Sequence, residues 1–341
     1  MNKGKQPVLK VKNMKKHFPI KGGIIKRTKS YVRAVDGISF DVQEQETFSL
    51  VGESGCGKST TGRSILRLTE PTDGEVYFNG EEVLECTQKE FRKYRKDMQM
   101  IFQDPFSSLN PRMTVKSLLL EPLMTHKLYS KEEALDKVYE VAERVGLSKE
   151  QVSRHPHEFS GGQRQRISIA RALIMNPKLI ILDEAVSALD VSIQAQILNL
   201  LIDLQKEFKL TYVFISHDLN VVKHLSDRIG VMYLGQMMEM TTTESLFNHP
   251  LHPYTKSLLS AIPSYDRNKK KDRIVLKGDV PDPANPPSGC PFRLRCPQAH
   301  ELCETQKPTY QEVKDNHWVA CHLYNEDSRV NETKQGLEHA Y

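Results

Sequence analysis

Alternating apolar and polar positions open the chain. Residues 8 to 13 alternate around Val8, Leu9 and Val11, which predicts a half-exposed strand ending at Asn13. Gly22-Gly23 and the basic Lys26, Arg27 and Lys29 predict an exposed loop. Ile38, Phe40 and Val42 recur at every second residue as a second strand, and the apolar run Phe48 to Val51 reads as a buried third. Pro71 to Gly74 predicts a turn, Glu75 to Phe78 a strand, and Asn79-Gly80 a hairpin. From about 105 to 175 the period becomes helical: Ala134, Leu135, Val138, Val141, Ala142 and Val145 share one face and stop at Gly146. Leu179 to Leu182 is a continuous apolar run, the mark of a strand covered on both faces. A helix follows on Ile193, Ile197, Leu200, Leu201 and Leu204, then a strand over Thr211 to Ile215. Strands and helices in this alternation predict an α/β fold: a parallel sheet with a helical insertion, beside an antiparallel sheet. No internal repeat is evident.

The chemistry starts where the buried strand ends. Gly52-Glu53-Ser54-Gly55-Cys56-Gly57-Lys58-Ser59-Thr60 has the form G-x-x-x-x-G-K-S, with Ile65, Leu66 and Leu68 following in helical spacing. Strand, glycine loop and helix in this order form a phosphate cradle. The glycines let successive N–H groups turn inward around phosphate oxygens. A helix starting near Lys58 adds free N–H donors and the positive end of its dipole. Lys58 supplies charge for the β- and γ-phosphates, and the Ser59 hydroxyl is placed for Mg²⁺. A chance glycine turn is the alternative that fixed positions in strand–loop–helix context weigh against.

Composition changes this picture little. The chain has 341 residues, 38% hydrophobic, with a formal net charge of +5. That length carries one large core with an appendage. The mild positive charge mixed with 27% charged residues does not point to nucleic acid, and is compatible with an anionic membrane face. Residues 1–6 lack the apolar core of a signal peptide, and the longest apolar runs fall far short of the roughly 18 residues needed to cross a bilayer. A cytosolic chain is expected. Residues 266 to 277 read as a solvated, Lys-rich linker. Beyond it Pro281, Pro283, Pro286 and Pro287 predict a small irregular domain.

Two further motifs sharpen the chemistry. Leu179 to Glu184 places Asp183 at the end of a buried strand, where it can hold Mg²⁺, and Glu184 one step later, where it can polarise water. Seen alone, the pair could be a helix N-cap. In Phe159-Ser160-Gly161-Gly162-Gln163, Ser160 is a good N-cap and the glycines bare the helix N-terminus, a second anion site. Two phosphate-binding ends with one triphosphate loop imply that the second serves another subunit's nucleotide.

The order of the glycine loop, Gln103, Phe159 to Gln163, Asp183-Glu184, Ser187 to Asp190 and Ser216-His217-Asp218 resembles an ABC ATPase cassette across residues 8 to 262. The resemblance implies a RecA-like parallel core, an antiparallel β subdomain and an inserted helical subdomain over about 105–175. It implies that ATP is bound by Gly52 to Thr60 with Phe18 stacking on adenine; Tyr31 is the rival aromatic. Mg²⁺ is expected at Ser59, Gln103 and Asp183, and Gln103 also marks the interface with a membrane subunit. Glu184 and His217, with Gln103, are the expected catalytic groups. Ser160, Gly161, Gly162, Gln163 and Asp190 are expected to meet the nucleotide of a partner. Phe159 stands where Leu is commoner, and Ala185 where Pro is.

The stretches Phe18 to Gly23, Gln103 to Pro111, His249 to Thr255 and Gly289 to Pro297 are similar to oligopeptide/dipeptide permease ATPases. That implies a cassette over 1–265 and a C-terminal extension over 266–341. It also implies a second homologous ATPase, two integral membrane permease subunits, an extracellular peptide-binding protein acting indirectly, and residence at the cytoplasmic face of the cell membrane. Four of six cysteines, Cys290, Cys296, Cys303 and Cys321, crowd this extension. Four thiolates are a complete ligand set for Zn²⁺ or an iron–sulfur cluster. The resemblance favours [4Fe-4S]; Zn²⁺ and merely buried thiols stay as alternatives, with His300, His317 and His322 as spare ligands. The implied function is an ATP-hydrolysing motor whose two subunits sandwich ATP and drive peptide import. Its rivals are a soluble ABC ATPase acting on nucleic acid or ribosomes, which usually carries two cassettes in one chain or a long coiled-coil insertion, and a binding-only regulator.

Overall fold

A computed structural model describes residues 6–22, 27–127, 129–262 and 273–324. Two sheets organise it. The first has β1 (Leu9–Gly22), β2 (Arg27–Val42), β4 (Asp73–Phe78) and β5 (Glu81–Glu82) in the order β2-β1-β4-β5, all antiparallel. The second runs β11-β12-β10-β9-β3-β8-β7-β6. Its members are β3 (Thr47–Val51), β6 (Met98–Ile101), β7 (Leu179–Asp183), β8 (Thr211–Ile215), β9 (Arg228–Tyr233), β10 (Gln236–Thr242), β11 (Tyr310–Lys314) and β12 (His317–Ala320). Strands β6, β7, β8, β3 and β9 pair in parallel, while β10, β12 and β11 extend the edge antiparallel.

Every residue of β3, β7 and β8 is buried, which is why each reads as an unbroken apolar run. Helix α1 (Lys58–Ile65) crosses behind them, and Gly62 lets it come within contact of Ile181 and Ile215. After α2 (Gln88–Phe91) comes the helical piece: α3 (Pro105–Ser108), α4 (Val115–His126), α5 (Lys131–Arg144) and α6 (Gly161–Leu173). It packs on Leu118, Leu119, Leu123, Val138, Val141, Ile167 and Leu173. Helix α7 (Val191–Phe208) leads to β8, and α8 (Leu219–Leu225), α9 (Thr243–Asn248), α10 (Pro253–Ser260) and α11 (Glu301–Thr305) complete the set.

Two expectations are corrected. The first strand does not end at Asn13 but passes through a bulge there, with Asn13 at φ +46°, and runs to Gly22. Gly22 pairs with Arg27 and Lys21 with Thr28, so the ends of the expected loop are strand; Gly23 to Lys26 lie outside the described residues. Cross-strand contacts of Lys12 with Glu75 and Lys15 with Asp73 let these polar positions be strand. The C-terminal tail is likewise not wholly irregular. Its β11–β12 hairpin joins the central sheet through β10, Glu239 opposite Val319 and Met240 opposite Trp318. The expected linker at 266–277 and the boundary at 265/266 fall largely or wholly in 263–272, outside the described residues.

Candidate functional site

The glycine loop is shaped by close backbone approach. Gly52 has φ +148° and a Cβ there would stand 2.2 Å from the Met232 carbonyl oxygen. At Gly57, φ +105°, a Cβ would meet the Ala34 oxygen at 2.0 Å. No other residue fits either position without moving backbone. Lys58 is buried, and its Nζ donates to the carbonyls of Gly52 (2.8 Å) and Glu53 (3.0 Å). The charge is thus held inside the loop. Cys56 is buried beneath it, and burial pushes its thiol pKa up, so this cysteine shapes the loop as an apolar side chain. Ser54 and Gly55 are exposed at the loop's crest, and Thr60 is half-buried in the first turn of α1.

Asp183, at the end of β7, accepts a 2.6 Å hydrogen bond from Ser59 Oγ. Its other oxygen is buried with no hydrogen-bond partner, and Arg63 stands 3.6 Å from it. Burial raises the Asp183 pKa, opposed by the Ser59 hydrogen bond and the Arg63 charge. A hydroxyl and an under-coordinated buried carboxylate oxygen are the donors a hard divalent cation takes, so Ser59 and Asp183 fit Mg²⁺. Gln103 is not joined to this pair by a hydrogen bond. Its Nε2 donates instead to Glu184 Oε2 at 2.8 Å, while His217 Nδ1 lies 3.2 Å from Glu184 Oε1. Glu184 is held from both sides, on backbone at φ +48° in the left-handed region and with its N–H donating to the Ile215 carbonyl. A non-glycine residue held there is strained, and such strain clusters at functional sites.

The expected second anion site is a helix start. Ser160 caps α6 in a capping box: its Oγ accepts from the Gln163 N–H and its own N–H donates to Gln163 Oε1. Both bonds are internal to the turn, which leaves its outer face open, with Ser160 and Gly161 exposed. A Cβ on Gly162 would stand 2.5 Å from Ile193 of α7, so glycine here lets two helices meet. Asp190, at the N-cap position of α7, is exposed and makes no capping hydrogen bond. On the β1–β2 hairpin Phe18 pairs with Val32 and Pro19 with Tyr31, so both candidate aromatics share one exposed region. Lys16 Nζ sits 4.8 Å from the Phe18 ring centre.

The cysteine tail differs from expectation. Cys290, Cys296, Cys303 and Cys321 do line one small pocket, with His300 and His322 at its rim. Among the described residues, however, no three His, Cys, Asp or Glu side chains are grouped to hold a metal ion, so a ready four-thiolate ligand set is not formed. Burial pushes the Cys290 thiol up to about 11 and Cys321 to about 12, and raises Cys296 too. His317 belongs elsewhere, with Nε2 2.7 Å from buried Glu239.

Residues that the sequence reading did not single out complete the loop's surroundings. Arg295 grips Glu53 with both nitrogens of its fork, at 2.6 and 3.0 Å. The Glu53 N–H donates to Tyr254 Oη at 2.9 Å. These pairs span 242 and 201 residues of sequence, which no local pattern encodes.

Comparison with known proteins places these features. The ABC transporter family profile matches residues 35–187, and that of the oligopeptide/dipeptide transporter C-terminal region matches residues 238–303. The oligopeptide transport ATP-binding protein AppF of Bacillus subtilis (strain 168) is 54% identical over 94% of this chain and 98% of its own length. A putative oligopeptide transport ATP-binding protein of the same organism, YkfD, is 55% identical over 96% and 98%. A putative peptide import ATP-binding protein of Brucella ovis is 50% identical over 92% and 97%. Among solved structures, the ATP-binding cassette MJ0796 as a dimer bound to ADP and phosphate aligns at 31% identity and TM-score 0.61, covering 69% of this chain and 98% of that one. CbiO1 of Clostridium perfringens, part of an ABC transporter complex, aligns at 26% identity and TM-score 0.62, over 72% and 92%. The glycine loop, the Ser59–Asp183 pair and the Gln103–Glu184–His217 cluster therefore sit on a known frame: this chain belongs to the ABC transporter ATPases, in their oligopeptide/dipeptide branch.

Proposed function

We propose that this chain is the ATP-hydrolysing motor of a membrane importer for oligopeptides or dipeptides. The observation that carries the reading is Glu184 suspended between Gln103 and His217, beside the Ser59–Asp183 pair at the mouth of the glycine loop. In this reading Gly52 to Thr60 cradle the triphosphate, and Phe18 stacks on adenine. Ser59 and Asp183 would hold Mg²⁺, which would supply positive charge against the triphosphate. Gln103, hydrogen-bonded to Glu184, would have to give up that bond to act as a further ligand. Glu184 accepts the proton of the attacking water, and His217 steadies the carboxylate and the γ-phosphate.

Ser160 to Gln163 and Asp190 serve the nucleotide of a partner ATPase, so ATP closes two subunits head to tail and hydrolysis parts them. The partner is a second homologous ATPase. Two permease subunits dock near Gln103, where exposed Phe102, Phe106 and Leu68 flank a groove lined by Phe91, Leu109 and Pro122. In this reading the chain works peripherally at the cytoplasmic face of the membrane, with an extracellular peptide-binding protein supplying cargo. The names of the relatives support peptide as the cargo. The pocket of Cys290, Cys296, Cys303 and Cys321 is proposed for a [4Fe-4S] cluster, with Zn²⁺ as the alternative. It requires the thiols to deprotonate and draw together, and no step of the ATP cycle runs through it.

Copurification with the permease subunits followed by uptake of labelled di- and oligopeptides tests the reading. Uptake that depends on ATP and stops in Glu184→Gln is expected. Recovery with RNA or ribosomes and no membrane partner would contradict it. For the cysteine pocket, iron and sulfide analysis of anaerobically purified protein should find iron that Cys290→Ser loses; zinc without iron would remove the cluster.

A further inference from the structure

The turn that carries Cys290 and Cys296 is built onto the nucleotide loop. Its Phe292 is fully buried in a cage of Tyr233, Tyr254 and His252, with ring centres 5.2 to 5.6 Å apart. From that anchor Arg295 reaches Glu53, the residue after Gly52, with a nearly buried guanidinium. Tyr254, from the same cage, holds the Glu53 N–H. The Glu53 carbonyl in turn accepts from Lys58 Nζ. One chain of contacts thus runs from the extension through Glu53 to the lysine that meets the phosphates.

The charge at Glu53 needs explaining. A carboxylate within a phosphate-cradling loop repels a triphosphate, and in a half-buried site that repulsion is poorly screened. A bidentate guanidinium both neutralises it and fixes its direction, which a lysine cannot do. We infer that Arg295 is a positioning residue for ATP, cancelling the Glu53 charge and orienting the loop, so that the C-terminal extension sets nucleotide affinity. The inference rests on the glycine loop being the ATP site.

The test measures ATP affinity in the full chain by equilibrium titration, together with kcat and KM of the assembled ATPase. Arg295→Gln should raise the Kd for ATP about tenfold or more while kcat at saturating ATP stays within about twofold. Arg295→Lys should fall between. The decisive variant is the pair Glu53→Gln with Arg295→Gln, which removes both charges and should return Kd to within about threefold of wild type. Thermal melts without nucleotide show whether each variant folds. A double variant no better than Arg295→Gln, or an Arg295→Gln protein that is folded with unchanged Kd, would overturn the inference and leave the ATP site standing. A wild-type chain that binds no ATP would overturn both.

Discussion

Glu184 is the residue on which most of the chemistry converges. It occupies left-handed backbone, and two neighbours hold its carboxylate, an arrangement that stability alone gives no reason to keep. Glu184→Gln keeps the shape and removes the base. Turnover should fall by about 10² to 10⁴ while ATP binding persists, read by phosphate release and nucleotide titration. Undiminished turnover would refute the role. Asp183 makes a second case. Burial raises its pKa, so folding favours the protonated form. The stability this group contributes is present below its unfolded value near 4 and lost as pH rises through the higher folded value. At neutral pH the ionised group is a liability. Asp183→Asn should therefore raise the nucleotide-free melting temperature by about 1–3 °C and abolish Mg²⁺-dependent hydrolysis. A lower melting temperature would contradict the burial argument. At this scale the sequence was legible wherever chemistry demanded a residue type at a fixed spacing. Lys58, Ser59, Asp183 and Glu184 all stand together as expected. Gln103 sits on Glu184 rather than on the Ser59–Asp183 pair, since Asp183 is buried against Ser59 and Glu184 is the carboxylate within its reach.

Strands were legible in proportion to their burial. The run Leu179 to Leu182 could be read directly because β7 is covered on both faces. The upper half of β1 carries Lys15, Lys16, His17 and Pro19, so no apolar alternation marks it. Its register is set instead by β2 and by the cross-strand pair of Lys15 with Asp73. The C-terminal hairpin was hidden for a related reason. Gln311, Glu312 and Lys314 make an edge strand polar, and its support, β10, lies about seventy residues earlier. Tyr310 and Trp318 stack at 5.7 Å and pack against the core that includes Met237 and Met240. A chain ended after residue 306 uncovers that apolar surface and the β10 edge. It should melt at lower temperature and shift toward aggregate on gel filtration. An unchanged melting temperature would mean the hairpin is an ornament.

Across the whole molecule, the alternation of strands and helices gave away the class of fold, and the order of motifs gave away the family. What stayed invisible was the long-range assembly: how the tail folds back on Glu53, and how four cysteines spread over some thirty residues come to line one small pocket. Both depend on contacts between segments far apart in the chain. The central claim is also one of assembly: the one triphosphate loop in the sequence and the exposed, capped helix start at Ser160 are read as two halves of a site that only a pair of chains completes. The most direct measurement is ATPase rate per chain against protein concentration, with sedimentation reporting the paired fraction, alone and with the second ATPase. The account predicts that rate per chain rises in step with pairing and is near zero for the monomer. Full turnover by a chain that sediments as a monomer at every concentration would contradict it.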